Sequence, residues 1–86
     1  MPHVVLPSYL VARADHASQV EVTGATAGDA LLQLERLHPR LAGWVLDEKG
    51  ALRRHVQVFR GNERVSLDTP VAAEDELHVV AAISGG

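Results

Sequence analysis

The 86-residue sequence contains no cysteine and only one residue each of tryptophan, tyrosine and phenylalanine. Without cysteine the chain has no disulfide, no thiolate metal site and no cysteine nucleophile. With so few aromatics the core must be aliphatic, and 47% of the sequence is hydrophobic. No apolar run approaches the roughly 18 residues needed to span a membrane. The opening "MPHVVLPSYLVARAD" lacks a basic n-region and meets proline at positions 2 and 7, unlike a secretory signal. Positive charge is also scarce. Eight Lys and Arg face eleven Asp and Glu, a net charge of -3. Arg53, Arg54 and Arg60 are diluted by those acids, so no electrostatic footprint for nucleic acid is visible. These absences lead us to expect one cytoplasmic domain over residues 1–86, binding neither nucleic acid nor membrane.

The pattern that is present alternates between two periods. Val4 to Leu6 and Tyr9 to Ala12 read as a first strand with an irregularity at Pro7, which has no N–H to donate. After the polar turn "ADHAS", Gln19 to Thr23 alternates, with Val20 and Val22 on one face. The two segments read as a hairpin. "TAGDALLQLERLHP" is the main helix, from about Ala27 to His38. Thr26 caps it, Asp29 stands three residues on, and Pro39 stops it. Ala27, Ala30, Leu31, Leu34 and Leu37 fall on one side.

The next stretch, "RLAGWVLDEKGA", reads as a connector anchored by Leu41, Trp44 and Leu46 and closed by a turn at residues 47–50. Val56 and Val58 then oppose His55, Gln57 and Phe59. "RGNE" is a tight turn in which Gly61 and Asn62 supply positive φ. A short strand is expected near Val65 to Leu67, and a turn near residues 68–70. In the final strand Leu77, Val79, Ala81 and Ile83 alternate with His78, Val80 and Ala82. One amphipathic helix against such a sheet is a two-layer α+β domain. The order fits a β-grasp sheet gripping one helix, and other small α+β arrangements as well.

Side-chain chemistry is thin. His3, His16, His38, His55 and His78 show no metal-ligand spacing. Glu74-Asp75-Glu76 reads as a solvated turn, because it lacks the spaced ligands and pivot glycine of a calcium loop. Gly24 and Gly28 belong to no phosphate loop, and Ser8, Ser66 and Ser84 have no glycine elbow. We expect no catalytic residue, no bound cofactor and no metal, so the chain is not an enzyme in its own right.

What stands out is the end of the sequence, "AAISGG". Two glycines after an apolar strand offer a thin stalk without side chains. Together with the β-grasp order, they make the chain resemble the ubiquitin-like sulfur carriers, the ThiS/MoaD-type family that includes the molybdopterin synthase small subunit. The similarity covers nearly the whole chain. It is carried by the capped helix of "ATAGDALLQLERLHPRL", by "LDEKGALRRHVQVFRGNERV", and by "DTPVAAEDELHVVAAISGG" with its Thr-Pro turn and glycine terminus. Three departures accompany it: Gly61-Asn62 where the family hairpin often has Asn-Gly, Glu74-Asp75 where Gly-Asp is usual, and Ala81-Ala82 where prolines often precede the glycines.

The resemblance implies a β-grasp fold with a flexible tail over about residues 83–86. It further implies that the Gly86 carboxylate, presented by Gly85, is the sulfur-accepting group. A separate ubiquitin-activating-like adenylyltransferase would use ATP and magnesium to form an acyl-adenylate there. A persulfide-derived sulfur would then displace AMP and leave a thiocarboxylate. The implied recipient is a sulfur-accepting synthase, such as the molybdopterin synthase large subunit or a cysteine-forming enzyme. Thiamine synthesis and tRNA thiolation are further routes, and the length argues against the short thiamine-type carrier. The same terminus also serves a protein modifier attached to lysines, and a plain interaction domain is a third class. Phe59, on the face opposite Val56 and Val58, is the expected centre of a partner surface with Val80, Ile83 and Ser84.

Overall fold

Thr26 begins the main helix as its residue types dictate, its hydroxyl oxygen accepting from the Asp29 N–H at 3.1 Å. In this computed structural model, which describes residues 1–81, that helix (α2) covers Ala27–Leu37. The two N–H groups before Asp29 are also satisfied. Ala27 donates to the Thr69 carbonyl and Gly28 to the Leu67 carbonyl, both at 2.9 Å. The Thr-Pro turn thus closes the helix N-terminus, which therefore has no free donors to offer an anion. At the other end Pro39 opens a short 3-10 turn, Pro39–Leu41.

Ala27, Ala30, Leu31 and Leu34 are buried, as their spacing predicts. Leu37 is not: it is 48% exposed. The opposing surface is a five-stranded sheet in the order β2-β1-β5-β3-β4. Its strands are β1 (His3–Val5), β2 (Gln19–Glu21), β3 (Val56–Arg60), β4 (Glu63–Arg64) and β5 (Glu76–Ala81). The central pair, β1 and β5, is parallel, and the other pairings are antiparallel. Val4, Val20, Val22, Val56, Val58, Leu77 and Val79 all face the helix and are buried. The arrangement is a mixed β-grasp sheet, and no buried polar or charged residue interrupts its core among the described residues.

The N-terminal segment departs from the sequence expectation. β1 ends at Val5, and Tyr9 to Ala12 is not strand. Ser8–Val11 is a single helical turn (α1), continued as a 3-10 turn over Ala12–Ala14. Pro7 does not bulge a strand; it stands at the N-cap with φ −70° and ψ 159°. Proline suits that place because its fixed φ leads into a helix whose first N–H groups lack partners anyway. Leu10 and Ala14, four residues apart, are both fully buried, a helical spacing hidden inside a short apolar run. Asp15 and His16 then turn the chain with positive φ, and the His16 N–H closes on the Val11 carbonyl at 2.9 Å. So β1 and β2 do pair antiparallel, but through this helical crossover rather than a hairpin turn.

Three further elements differ in detail. At the β3–β4 turn only Gly61 has positive φ (62°), so Asn62 does not share that role. This is the II′ pattern, which needs glycine at the first central position alone. The strand expected at residues 65–67 lies two residues earlier, and Val65 follows it as a buried residue whose N–H donates to Val58. In the connector, Leu41 and Leu46 are buried as expected, whereas Trp44 is 41% exposed and Val45 takes the core position.

Candidate functional site

β5 carries the chain toward its C-terminal glycines, so the site is built outward from the end of that strand. Ala81 pairs with Val56 of β3, the first residue of its strand. Gly85, Gly86, Ile83 and Ser84, together with Ala82, lie outside the described residues. Two surfaces flank the place where β5 ends.

The first is the sheet face away from α2. Register puts Val5, His78 and Phe59 in one row across β1, β5 and β3, with Val80 and Gln57 in the next. Phe59 and Val80 are brought to one face, as the strand phase predicts. Phe59 is half-buried rather than solvated, since His78 and Arg64 are its register neighbours on either side. His78 Nε2 lies 2.8 Å from Glu76 Oε1, which gives this face a polar rim.

The second surface was not legible in the sequence. Tyr9, Trp44, Arg53, His55 and Val56 line a concavity of about 210 Å³. A neighbouring one, about 260 Å³, is lined by Leu52, Arg54, Val56, Gln57, Val58, Arg64 and Val65. Val56 belongs to both and is the residue opposite Ala81.

The local fold explains the convergence. Leu46 and Leu52 bridge, and the Arg53 N–H donates to the Val45 carbonyl at 3.0 Å, setting Arg53 beside the Trp44 segment. The loop between them is tied by Asp47 Oδ1, which accepts from the Lys49 N–H at 2.8 Å and the Ala51 N–H at 3.0 Å. Those two backbone donors, first Ala51 and then Lys49, hold the Asp47 carboxyl below its ordinary range, with smaller help from Lys49 and Arg53 charge. From α2, Glu35 Oε2 anchors the same connector by accepting from Leu46 N–H at 3.0 Å. The Arg13 guanidinium covers one face of Trp44, 3.8 Å from the ring centroid.

Other charged groups are engaged elsewhere. Arg60 Nη1 donates to the Pro70 carbonyl at 2.9 Å and to Asp75 Oδ2 at 3.1 Å. Asp75 also accepts from the Ala72 N–H at 2.8 Å, and that bond is the main reason its carboxyl is held low. The acidic run before β5 is therefore an organised turn around Asp75, not merely a solvated one. His3, His38 and His78 each lie within 4.0 Å of a carboxylate rather than beside one another. Among the described residues no group of three or more His, Asp or Glu is placed to hold a metal ion, and no helix is long and apolar enough to cross a membrane. Nothing in this geometry, among the described residues, pairs a nucleophile with a base.

Comparison with known proteins gives a consistent set of likenesses. The sequence model of the ThiS family matches residues 7–86. Small archaeal modifier protein 1 of Haloferax volcanii is 42% identical over 69 residues, 79% of each chain. The crystal structure of that organism's SAMP1 superposes with a TM-score of 0.81 at 36% identity, covering 99% of this chain and 98% of its own. A chain of the Amycolatopsis orientalis BexX/CysO complex superposes with a TM-score of 0.87 at 26% identity, over 100% of both chains.

Proposed function

Because this chain belongs to the ThiS family, we propose that it is a sulfur carrier whose C-terminal Gly86 carboxylate is the reacting group. A carboxylate is a poor electrophile. A ubiquitin-activating-like adenylyltransferase would join it to AMP, using ATP with magnesium and releasing pyrophosphate. A persulfide sulfur then displaces AMP, and a thiol reductant cleaves the sulfur–sulfur bond to leave the thiocarboxylate. A sulfur-accepting synthase consumes it, in molybdopterin or cysteine formation.

The observation that carries this reading is the extent of the family match, which runs from residue 7 through Gly85 and Gly86. β5 supports the role mechanically. It lies in the middle of the sheet between β1 and β3, so the last described residue has a fixed position relative to the core. Gly85 and Gly86 follow with no side chain to obstruct entry into a narrow cleft.

A second reading is favoured by the 42%-identical relative, whose name is that of a modifier protein. In it Gly86 is activated by the same chemistry and joined to a lysine amine. Intact-mass spectrometry separates the two. The protein would be incubated with its native activating enzyme, ATP and a sulfur source. The carrier reading expects the mass gain of one oxygen exchanged for sulfur. The modifier reading expects isopeptide-linked conjugates in cell lysate that disappear when Gly86 is deleted.

A further inference from the structure

Three aromatic residues occur in the whole chain, and two of them line one concavity. Tyr9 is 45% exposed and Trp44 41%, although a core was available to bury both. Aromatics with an apolar body left in water are the residue types that anchor protein interfaces. The concavity is about 210 Å³. That is smaller than the roughly 300–1,000 Å³ of small-molecule sites, so it suits one inserted side chain better than a ligand.

Charge points the same way. The protein is net negative, yet the two concavities beside the end of β5 are lined by Arg53, Arg54, Arg64 and His55 and by none of the eleven acids. Asp47, whose carboxyl responds to Arg53, is already held by two backbone N–H groups. Among the described residues Arg60 is the one arginine in an ion pair, so these three guanidinium groups make none. Position completes the case, because Val56 lines both concavities and pairs with Ala81.

We propose that this surface docks an acidic protein partner, the enzyme that acts on the tail, with an apolar side chain of that partner seated between Tyr9 and Trp44. The identity of the partner rests on the carrier reading; the surface itself does not. Partner carboxylates face Arg53, Arg54 and Arg64, while the aromatic slot holds the body of the carrier against the partner and adds uniform binding. Exposed charges of this kind act mainly on encounter and are screened by salt.

The test measures ATP-dependent adenylation by the native activating enzyme as a function of carrier concentration. Arg53→Glu with Arg54→Glu, and separately Tyr9→Ala with Trp44→Ala, should each raise KM about tenfold or more. Both should leave kcat within about twofold, as loss of uniform binding does. Arg36→Glu with Arg40→Glu, two exposed charges outside both concavities, makes the same change in net charge as the arginine pair and should leave KM unchanged. KM should rise with salt for the wild type and much less for the Arg53/Arg54 variant. Unchanged KM in both double variants, with the wild type adenylated normally, overturns the surface and leaves the carrier reading intact.

If the wild type is not adenylated, the carrier reading fails and the surface is still decided. The indole N–H of the single tryptophan gives one resonance, which the pentapeptide Glu-Asp-Phe-Asp-Glu should shift and its lysine-substituted counterpart should not. No shift with the acidic peptide, tighter binding of single-stranded oligothymidine, or a dimer abolished by Trp44→Ala would each contradict an acidic protein partner.

Discussion

The two ends of β5 are finished in opposite ways. At its start Arg60 joins β3 to the Pro70 carbonyl and Asp75, the His3 N–H donates to the Asp75 carbonyl at 3.1 Å, and the neighbouring Leu67–Thr69 turn closes α2. Charge there is matched by charge, and donors by acceptors. At its far end, beside Ala81, arginines and two aromatics stand exposed with no ion pair among the described residues. A chain that satisfies its polar groups at one end of a strand is able to do so at the other. The difference separates a structural end from a contacting end.

Both ends rest on one core, so the largest effect should come from breaking it. Leu34→Ala removes a fully buried side chain facing the sheet and should destabilise by about 2–5 kcal/mol in denaturant titration. Thr26→Ala removes the N-cap acceptor at the closed end and should lower stability by about 1 kcal/mol in the same experiment.

Asp75→Asn addresses that end by charge. Its folded pKa lies below the ordinary 3.8, chiefly through the Ala72 N–H, so its contribution is present above that value. It is lost as pH falls through the folded value. Acid unfolding curves of wild type and Asp75→Asn should therefore converge at low pH and separate above about pH 4. The open end should be silent in all such measurements. Arg53→Glu with Arg54→Glu should shift stability by no more than about 0.5 kcal/mol, even as docking weakens. A large loss of stability would mean that this end, too, is structural.

The sequence made the closed half readable because its signals are periodic or local. Alternation gave Val20/Val22, Val56/Val58 and Leu77/Val79, and the Thr26–Asp29 spacing gave the helix start. α1 escaped because four residues are too few to display a 3.6-residue period, and Tyr9 to Ala12 suits either element. Hydrophobicity alone sends Trp44 to the core, whereas beside the bridge of Leu46 to Leu52 it is Val45 that is buried and the indole that is exposed. The basic, aromatic surface depends on that long-range return of the connector. Its one sequence-level trace is the run of three adjacent basic residues, Arg53-Arg54-His55. Strand phase puts Phe59 and Val80 on one face, as the register does, and their contact with a partner is a matter for experiment.

The carrier role turns on Gly86. Deleting it moves the terminal carboxylate back by at most about 3.6 Å. A misplacement of even 1 Å can lower a positioned reaction by roughly 100-fold. Adding one residue shifts the carboxylate forward and puts an amide where adenylation must occur. Intact-mass spectrometry after incubation with the native activating enzyme, ATP and a sulfur source should show oxygen-for-sulfur exchange in the wild type and in neither variant. Thiocarboxylate formation on the extended variant without prior trimming, or its absence from the wild type, would contradict the carrier role.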